Sequence, residues 1–434
     1  MTLALLGGKP VRPNPYPPHI TTGKEDMEIT MEVMREGILS DFEGSNNQWF
    51  LGGKYVKMAE KEWAAYFGAK HCISMNSATS GLYAAVGAAG VGPGDEVITS
   101  PWTMTATAAA IVVNNAVPIF ADIDPETFCL LPDDVERKIT PRTKAIMPVH
   151  IYGHPADMDG IMALAKKHKL VVIEDAAQST GIRYKGKMTG CIGHMGIHSL
   201  NCHKLIQTGE GGMVFTDDDD LAQRLQLIRN HAEAVVGTGM AVKSLVNMVG
   251  WNYRMNEVEA AISMTQLRKL KTLQEERYLL ADHITSGIKK FKGLLTPTIR
   301  EGCEHTYYRY AVRLDPAAVP ITAHTLVEAL NAEGLDWYAG YKPLNLFPVY
   351  QEQIAFGDKG CPFKCPLYKG KPDYSLDSLP NVRRHLKYSF STENVRPPLT
   401  IADMDLMLEG FDKVYKNMDK LVEWEKRNMK PGNK

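Results

Sequence analysis

The chain has 434 residues, of which 44% are hydrophobic and 23% are charged, which excludes disordered and collagen-like proteins and suits an enzyme with one large core and a smaller domain. The 49 Lys and Arg residues nearly balance the 50 Asp and Glu residues, so no global charge attracts nucleic acid or an anionic membrane. The N-terminus does not resemble a secretory signal, no apolar run approaches the roughly 18 residues of a membrane span, and seven scattered cysteines indicate reduced thiols in the cytoplasm.

The hydrophobic pattern changes at about residue 54. Before it, seven Gly and Pro residues between positions 7 and 20 prevent regular structure, so residues 1–53 are expected to form an arm, a helix and a loop. After it, helical and extended periods alternate. The predicted elements are helix 54–67, strand 71–75, helix 79–89, strand 95–99, helix 102–114, strand 117–121, helix 133–139, strand 144–149, helix 158–167 and strand 170–174.

This alternation predicts an α/β fold. Short apolar strands separated by helices indicate a mostly parallel sheet between two layers of helices. Strands 196–200 and 213–216 have no helix between them, so the sheet is expected to become mixed. A helix from 256 to about 290 then leads to a strand at 308–314 and a helix at 323–333. We therefore predict a large domain at 54–255, followed by a linking helix and a smaller α/β domain at 256–434.

Polar residues follow several predicted strands, which is where open α/β sheets bind ligands. The segment 77–80, Ser-Ala-Thr-Ser, precedes a helix, and its N–H groups and hydroxyls can hold a phosphate or simply cap the helix. Asp175 ends the most apolar strand, where a carboxylate is costly unless a cation pairs with it. A protonated pyridine nitrogen is one such cation. The alternative is that Asp175 caps the following helix.

Lys204 lies in a loop between the segment 198–203 and the glycine-rich segment 209–212. A lysine in such a loop is usually a surface residue. Desolvated beside a cationic ring, however, its pKa would fall, and the neutral amine could form a Schiff base and move a proton. The glycines would allow the backbone to approach a cofactor closely.

Together these segments resemble the DegT/DnrJ/EryC1/StrS aminotransferases, which are fold-type-I pyridoxal-phosphate (PLP) enzymes that aminate sugars and cyclitols. The resemblance runs from about residue 5 to about 350 in one order and with consistent spacing. It implies that the large domain binds PLP and that a smaller C-terminal α/β domain completes the fold. The matching segments are 77–79, 92–97, 101–103, 122–124, 174–178, 199–204, 209–212 and 250–255.

The resemblance implies a role for four residues around the cofactor ring. Lys204 is expected to form the Schiff base with PLP, and Asp175 to pair with the pyridine nitrogen. Gln178 would lie near the phenolic oxygen, and Trp102 would stack on the ring. No metal is expected at this site.

The resemblance also implies how the phosphate is bound. Ala78 and Thr79 would offer N–H and hydroxyl groups, joined by Ser199, while Asn252 would reach the phosphate from the neighbouring subunit of a homodimer. Members of the family usually have Gly at position 78 and an aromatic residue at 200. Ala78 and Leu200 remove no chemical group, so the expectation of a PLP site is unchanged.

The expected reaction is amino transfer from L-glutamate or L-glutamine to the ketone or aldehyde of a sugar-type acceptor. The acceptor is a nucleotide-linked keto-sugar or an ulosonic acid, such as the precursor of 8-amino-3,8-dideoxy-octulosonate, with a cyclitol ketone as an alternative. A related branch of dehydratases has His in place of the Schiff-base lysine, so Lys204 favours transamination. A non-catalytic PLP-binding regulatory protein is a further alternative.

Three other features of the sequence each allow two interpretations. Cys361 and Cys365 are spaced like a ligand pair, although without a second pair two ordinary thiols are favoured over a zinc site. The cationic run 381–387, which includes Arg383, Arg384, His385 and Lys387, could bind an anionic acceptor, although a solvated surface is favoured. The three residues His150, Tyr152 and His154 line the acceptor pocket or pack in the core.

Overall fold

The computed structural model of the protein describes residues 2–428. Residues 7–23 form neither helix nor strand, as the prolines and glycines in this arm predict. Leu3, ahead of the arm, is buried in the core of the C-terminal domain, so the arm begins on that domain. Two helices follow, α1 (Lys24–Glu36) and α2 (Lys54–Phe67).

A seven-stranded sheet forms the centre of the large domain. Its strand order is β1-β9-β8-β5-β4-β2-β3, and only β9 runs antiparallel to its neighbours. The predicted mostly parallel, mixed sheet is therefore confirmed. The elements in chain order are β1 (His71–Met75), α3 (Ala78–Ala88), β2 (Glu96–Thr99), α4 (Ala106–Val113), β3 (Val117–Phe120), α5 (Pro132–Lys138), β4 (Thr143–Met147), α6 (Met158–His168), β5 (Val171–Asp175), the hairpin β6 (Arg183–Tyr184) and β7 (Lys187–Met188), β8 (Met195–Ser199), β9 (Gly212–Thr216), α7 (Asp219–Arg229) and α8 (Ala232–Gly237).

Both faces of this sheet are buried, which explains why its strands are nearly continuous apolar runs. Successive side chains of a strand point to opposite faces. Accordingly, Ile98 and Val172 belong to the hydrophobic core on one face, whereas their neighbours Val97 and Ile173 belong to the core on the other. Because helices cover both faces, the open carboxyl edge of the sheet is the place for polar chemistry.

A long helix connects the large domain with the C-terminal domain. Its first half, including Ala260 and Met264, packs in the core with α1 and α2, and its last turns, including Ile284 and Ile288, pack in the C-terminal core. We propose the domain boundary at 255/256 on this basis. The elements are α9 (Glu257–Ile288), β10 (Leu294–Leu295), β11 (Tyr310–Leu314), α10 (Ala323–Ala332), α11 (Pro348–Gln351), α12 (Pro380–Tyr388), β12 (Ser389–Thr392), α13 (Ile401–Tyr415) and α14 (Met418–Asn428).

The predicted helix at 102–114 is wrong at its start, since α4 begins only at Ala106. The preceding loop turns Trp102 into the core, where its side chain has no exposed surface. The Trp102 N–H donates to the hydroxyl of Ser100 at 3.0 Å, and the carbonyl of Pro101 accepts from Leu344. These contacts outside the helix override the helical pattern of residues 102–105. Among residues 2–428, no helix is long and apolar enough to cross a bilayer.

Buried histidines make the fold sensitive to acid. Burial lowers the pKa of His154, His198 and His385 from 6.5 to about 4. Between these two values each histidine binds a proton in the unfolded chain but not in the folded protein. We therefore expect the free energy of unfolding to fall as the pH drops from 6.5 toward 4, by about 2–3 kcal/mol for each histidine.

The variant His385→Leu tests this expectation, because both ring nitrogens of His385 lack a partner among the described residues. Urea unfolding at pH 7 and at pH 4.5, followed by tryptophan fluorescence, should show a smaller loss of stability in the variant than in the parent protein. An equal loss in both proteins would contradict the role of His385.

Candidate active site

The carboxyl edge of the large sheet brings together three segments that are distant in sequence. Gly212, at the start of β9, pairs with Met75 of β1 on one side and with Ser199 of β8 on the other. On the next strand, Asp175 of β5 pairs with Ile197. The polar residues that follow β1, β5 and β8 therefore surround one point on this edge, as ligand sites of open α/β sheets require.

The start of α3 offers donors to an anion. Ser77 caps the helix by accepting from the N–H of Ser80 at 3.0 Å. The N–H groups of Ala78 and Thr79 donate to no other group in residues 2–428, and the helix dipole adds positive potential there. Ser199 is buried nearby, and its hydroxyl accepts from Asn201 at 3.3 Å. This donor set fits a phosphate group.

Gly212 lets the chain approach this donor set. A Cβ atom at position 212 would lie 2.6 Å from the Ala78 nitrogen and 2.7 Å from two backbone atoms of Ser77. We therefore expect Gly212→Ala to displace the start of α3 and to weaken PLP binding about ten- to a hundredfold, the equivalent of about 1–3 kcal/mol of overpacking. Fluorescence titration of the apoenzyme with PLP measures this change.

Gly237→Ala is the matched control, because a Cβ atom at position 237 would meet nothing within 4 Å. Its PLP affinity should equal that of the parent protein. An unchanged affinity in Gly212→Ala would show that the start of α3 does not bind the phosphate.

Asp175 is buried and forms no ion pair among residues 2–428. Its Oδ2 atom accepts from the hydroxyl of Thr107 at 2.7 Å, and its Oδ1 atom accepts from the N–H of Ala177 at 3.2 Å. These two bonds orient the carboxylate but do not neutralise it. A buried carboxylate of this kind fits a protonated pyridine nitrogen. The sequence analysis missed Thr107, for which the available signal was a threonine within an otherwise apolar helix.

Lys204 lies within reach of the same point. Its Nζ atom is 4.3 Å from the centre of the Tyr308 ring. Desolvation lowers the pKa of Lys204, while Tyr341, Asp175 and Glu393 partly oppose this shift. Among these groups, Asp175 is the other predicted catalytic residue. A lysine with a lowered pKa has more of the neutral amine that a Schiff base requires.

Tyr152 joins the two residues that were predicted to contact the cofactor ring. Its hydroxyl accepts from the indole N–H of Trp102 at 2.9 Å, and its own N–H donates to the side-chain oxygen of Gln178 at 2.7 Å. The amide nitrogen of Gln178 donates to the hydroxyl of Tyr341 at 3.3 Å. Tyr341 comes from the C-terminal domain, and no motif singled it out.

The other two candidates for the acceptor pocket lie elsewhere. His150 is fully buried and paired with Glu174 at 2.8 Å. His154 is also buried, with its Nδ1 atom 2.7 Å from the carbonyl of Pro155. Both histidines therefore have packing roles, and of the three only Tyr152 belongs to the site.

The cationic run at 381–387 is divided between surface and core. Arg383 is exposed and pairs with Asp377 at 2.8 Å, whereas His385 is buried against Phe128. The run lies on α12, whose first N–H groups donate to the carboxylate of Asp122. Asp122, part of the family pattern, thus caps a helix of the C-terminal domain.

The cysteines at positions 361 and 365 are free, partly exposed thiols. Within the part of the chain that the structure describes, no group of three or more His, Cys, Asp or Glu side chains is placed to hold a metal ion.

Asn252 lies on the surface, outside the group formed by Lys204 and Asp175. Its side-chain oxygen accepts from Arg254 at 2.8 Å. The neighbouring residues Leu245, Val246, Val249 and Trp251 are large apolar side chains that are also exposed. The contact of Asn252 with a second subunit stays a prediction. The exposed apolar side chains around it are suited to a subunit interface.

Comparison with known proteins shows the family to which the chain belongs. The model of the DegT/DnrJ/EryC1/StrS aminotransferase family matches residues 36–364. The GDP-perosamine synthase of Caulobacter vibrioides is 38% identical over 69% of this chain and 79% of its own. The L-glutamine:2-deoxy-scyllo-inosose aminotransferase of Streptoalloteichus tenebrarius is 34% identical over 82% of this chain and 86% of its own.

A solved structure that contains a reaction intermediate has the same fold. The structure of S. venezuelae DesV in complex with a ketimine intermediate superimposes with a TM-score of 0.72 and is 29% identical, covering 89% of this chain and 94% of that one. The predicted fold class and cofactor are confirmed. The chain belongs to the DegT/DnrJ/EryC1/StrS aminotransferase family, and it is a PLP-dependent aminotransferase.

Proposed function

We propose that the protein transfers an amino group from L-glutamate or L-glutamine to the ketone or aldehyde of a sugar-type acceptor in amino-sugar biosynthesis. The observation that carries this proposal is the position of Lys204: its Nζ atom lies 4.3 Å from the centre of the Tyr308 ring, and burial lowers the pKa of this amine. Membership in a sugar aminotransferase family supports the substrate class.

The proposed mechanism divides the work among a few side chains. PLP, when bound, supplies an electron sink for the carbanion at the α-carbon of the amino donor. Asp175 keeps the proton on the pyridine nitrogen. Lys204 takes the α-proton from the donor at its Nζ atom and later delivers a proton to the former carbonyl carbon of the acceptor. Thr107 holds the carboxylate of Asp175, and Tyr308 packs beside the moving amine.

Relatives support two types of acceptor. The name of one relative, GDP-perosamine synthase, specifies a nucleotide-linked sugar, and that of another, L-glutamine:2-deoxy-scyllo-inosose aminotransferase, specifies a cyclitol ketone. We therefore propose a nucleotide-linked keto-sugar as the acceptor, and we retain a cyclitol as the second candidate because of the 34% identity to the cyclitol enzyme. An ulosonic acid is also proposed, from the resemblance in sequence alone. The lysine at position 204 argues against a dehydratase, and the retention of Lys204, Asp175 and the phosphate-binding positions together argues against a non-catalytic regulatory protein.

A panel of half-reactions tests the proposed function. The PLP form is mixed with L-glutamate, L-glutamine and L-alanine, and its absorbance spectrum is recorded. The resulting pyridoxamine form is then offered nucleotide-linked keto-sugars, an aldehyde of an eight-carbon ulosonic acid and scyllo-inosose, and the products are identified by mass spectrometry. We expect an amine that retains every hydroxyl group. A deoxy ketone with released ammonia would show a dehydratase, and an unchanged spectrum with all donors would refute amino transfer.

We further propose a homodimer in which Asn252 contributes to the partner's phosphate site. The exposed apolar side chains beside Asn252 support it, because such a patch on a monomer usually marks an interface. The seven cysteines are all free thiols, which supports a cytoplasmic location.

The variant Trp251→Asp tests the dimer, because Trp251 is 50% exposed within this patch. A charge in the centre of an interface should weaken self-association at least about 100-fold. Sedimentation velocity over a range of concentrations measures the change. Leu279→Asp is the matched control, since Leu279 is 67% exposed on α9 away from the patch, and it should stay dimeric. A monomeric parent protein, or an unaffected Trp251→Asp dimer, would contradict this interface.

A further inference from the structure

The long helix α9 carries a buried arginine with an unused hydrogen-bonding edge. Arg277 is 1% exposed. Its Nη1 atom donates to the carbonyls of Thr306 and Tyr307 at 3.4 and 3.2 Å, but its Nε and Nη2 atoms have no partner among the described residues. These two atoms form one edge of the planar guanidinium. That edge is suited to a carboxylate, which it can bind through two parallel hydrogen bonds.

The charge of Arg277 is also unusual for a buried arginine. Arg229 is equally buried, but the carboxylate of Glu60 lies 2.5 Å from it. Arg277 forms no ion pair in the part of the chain that the structure describes. A buried charge without a partner is costly, so an anion at Arg277 would stabilise the folded protein.

A second arginine adds to the positive charge. Burial and the nearby guanidinium of Arg396 lower the pKa of Arg277 to about 9. The carboxylate that serves this region is Glu393, which lies 2.5 Å from Arg309 but 3.8 Å from Arg396. Glu393 therefore pairs with two of these guanidinium groups and Asp336 also acts on Arg396, whereas Arg277 has no ion pair among the described residues.

These arginines lie beside Lys204. Arg277 donates to the carbonyls of Thr306 and Tyr307. The next residue is Tyr308, whose ring centre is 4.3 Å from the Lys204 amine. On the other side, His19 of the N-terminal arm lies 2.7 Å from the carbonyl of Pro397, next to Arg396. Burial, Arg396 and Arg277 all lower the pKa of His19, and the backbone of Lys204 also acts on it.

We propose that Arg277 and Arg396 bind a carboxylate of a substrate that reacts at Lys204. This inference rests on the proposed function and specifies its substrate class: either the amino donor or the acceptor carries an acidic group that reaches the free edge of Arg277. Arg277 forms the two parallel bonds, and Arg396 supplies the second positive charge. The site differs from the phosphate donors at the start of α3.

Two variants test the site while keeping the fold. Arg277→Lys retains the charge but cannot form two parallel bonds. Arg396→Gln removes the second charge, and the Arg396 side chain forms no backbone hydrogen bond among the described residues. Arg268→Gln is the matched control, since Arg268 lies on the same helix, is exposed and pairs with Glu62 at 2.9 Å. All three are compared as holoenzymes with equal circular dichroism.

Two kinds of probe are used. Glutarate, a dicarboxylate without an amino group, is titrated by calorimetry, and L-glutamate and L-glutamine are followed in the donor half-reaction. We expect both site variants to weaken binding of the recognised carboxylate about 10- to 100-fold, as for the loss of a hydrogen bond between charged groups, while Arg268→Gln binds like the parent protein.

The pattern of losses identifies the carboxylate. A loss for glutamate and glutarate but not glutamine assigns the site to the donor side chain, and an equal loss for both amino acids assigns it to the α-carboxylate. If the variants bind both donors like the parent protein but have a higher KM for an acidic acceptor, the carboxylate belongs to the acceptor. Values within about threefold of the parent protein for every probe and acceptor overturn the proposal. If no donor reacts with the parent protein but the variants lose glutarate, the proposed function fails and the carboxylate site stands.

Discussion

Lys204→Ala should lower the rate of the glutamate half-reaction at least about 10,000-fold. The substitution removes both the amine that holds PLP and the group that carries the proton, and proton transfer by a positioned side chain alone contributes up to about 10,000-fold. Single-turnover absorbance measurements with saturating L-glutamate give the rate. The lowered pKa of Lys204 and its position near Asp175 are the structural reasons for this expectation.

His203→Ala is the control for this experiment. His203 is the exposed neighbour of Lys204, and it is the residue that would occupy the reactive position if the motif were misaligned by one. Its loss should leave the rate within about twofold of the parent rate, as for other surface substitutions. A Lys204→Ala protein that still turns over, or a His203→Ala protein that does not, would refute the assignment of Lys204.

Asp175→Asn should lower the same rate about 100- to 1000-fold, the range found when a preorganised electrostatic partner is removed. The amide has nearly the shape of the carboxylate, and it can still accept from Thr107 and Ala177. It cannot keep the proton on the pyridine nitrogen. The expected loss therefore lies in the rate at saturating donor and not in the amount of PLP bound, and both quantities are measured on the same sample.

Thr107→Val provides a graded comparison. It leaves the carboxylate in place but removes the 2.7 Å hydrogen bond that orients it, so we expect a loss of about tenfold. If Asp175→Asn were no slower than Thr107→Val, the charge of Asp175 would not matter and its role would be only structural.

The sequence predicted the parts of this site that come from short motifs at strand ends. Asp175 and Ser199 end strands whose apolar patterns are clear, so their place at the carboxyl edge follows from the parallel sheet. Lys204 became a candidate only through the resemblance, because a lysine in a loop is ordinary by itself. In the structure, burial lowers the pKa of Lys204, and the charge of Asp175 partly opposes this shift.

Contacts made across the domains could not be predicted. Tyr341 lies outside every predicted element, and Tyr308 is only the first residue of the predicted strand 308–314. They contact Gln178 and Lys204 because the C-terminal domain folds against the sheet edge. Similarly, the start of α4 at Ala106 depends on how Trp102 packs against Tyr152. Periodicity describes one element at a time, whereas these features depend on the packing of distant segments.

The most direct test of the account is to find which lysine holds the cofactor. The PLP-loaded protein is reduced with borohydride and digested, and the modified peptide is sequenced by mass spectrometry. The account predicts that the reduced cofactor is attached to Lys204 and that prior incubation with L-glutamate prevents the attachment. A cofactor trapped on another lysine, or no trapped cofactor in a protein that binds PLP, would contradict it.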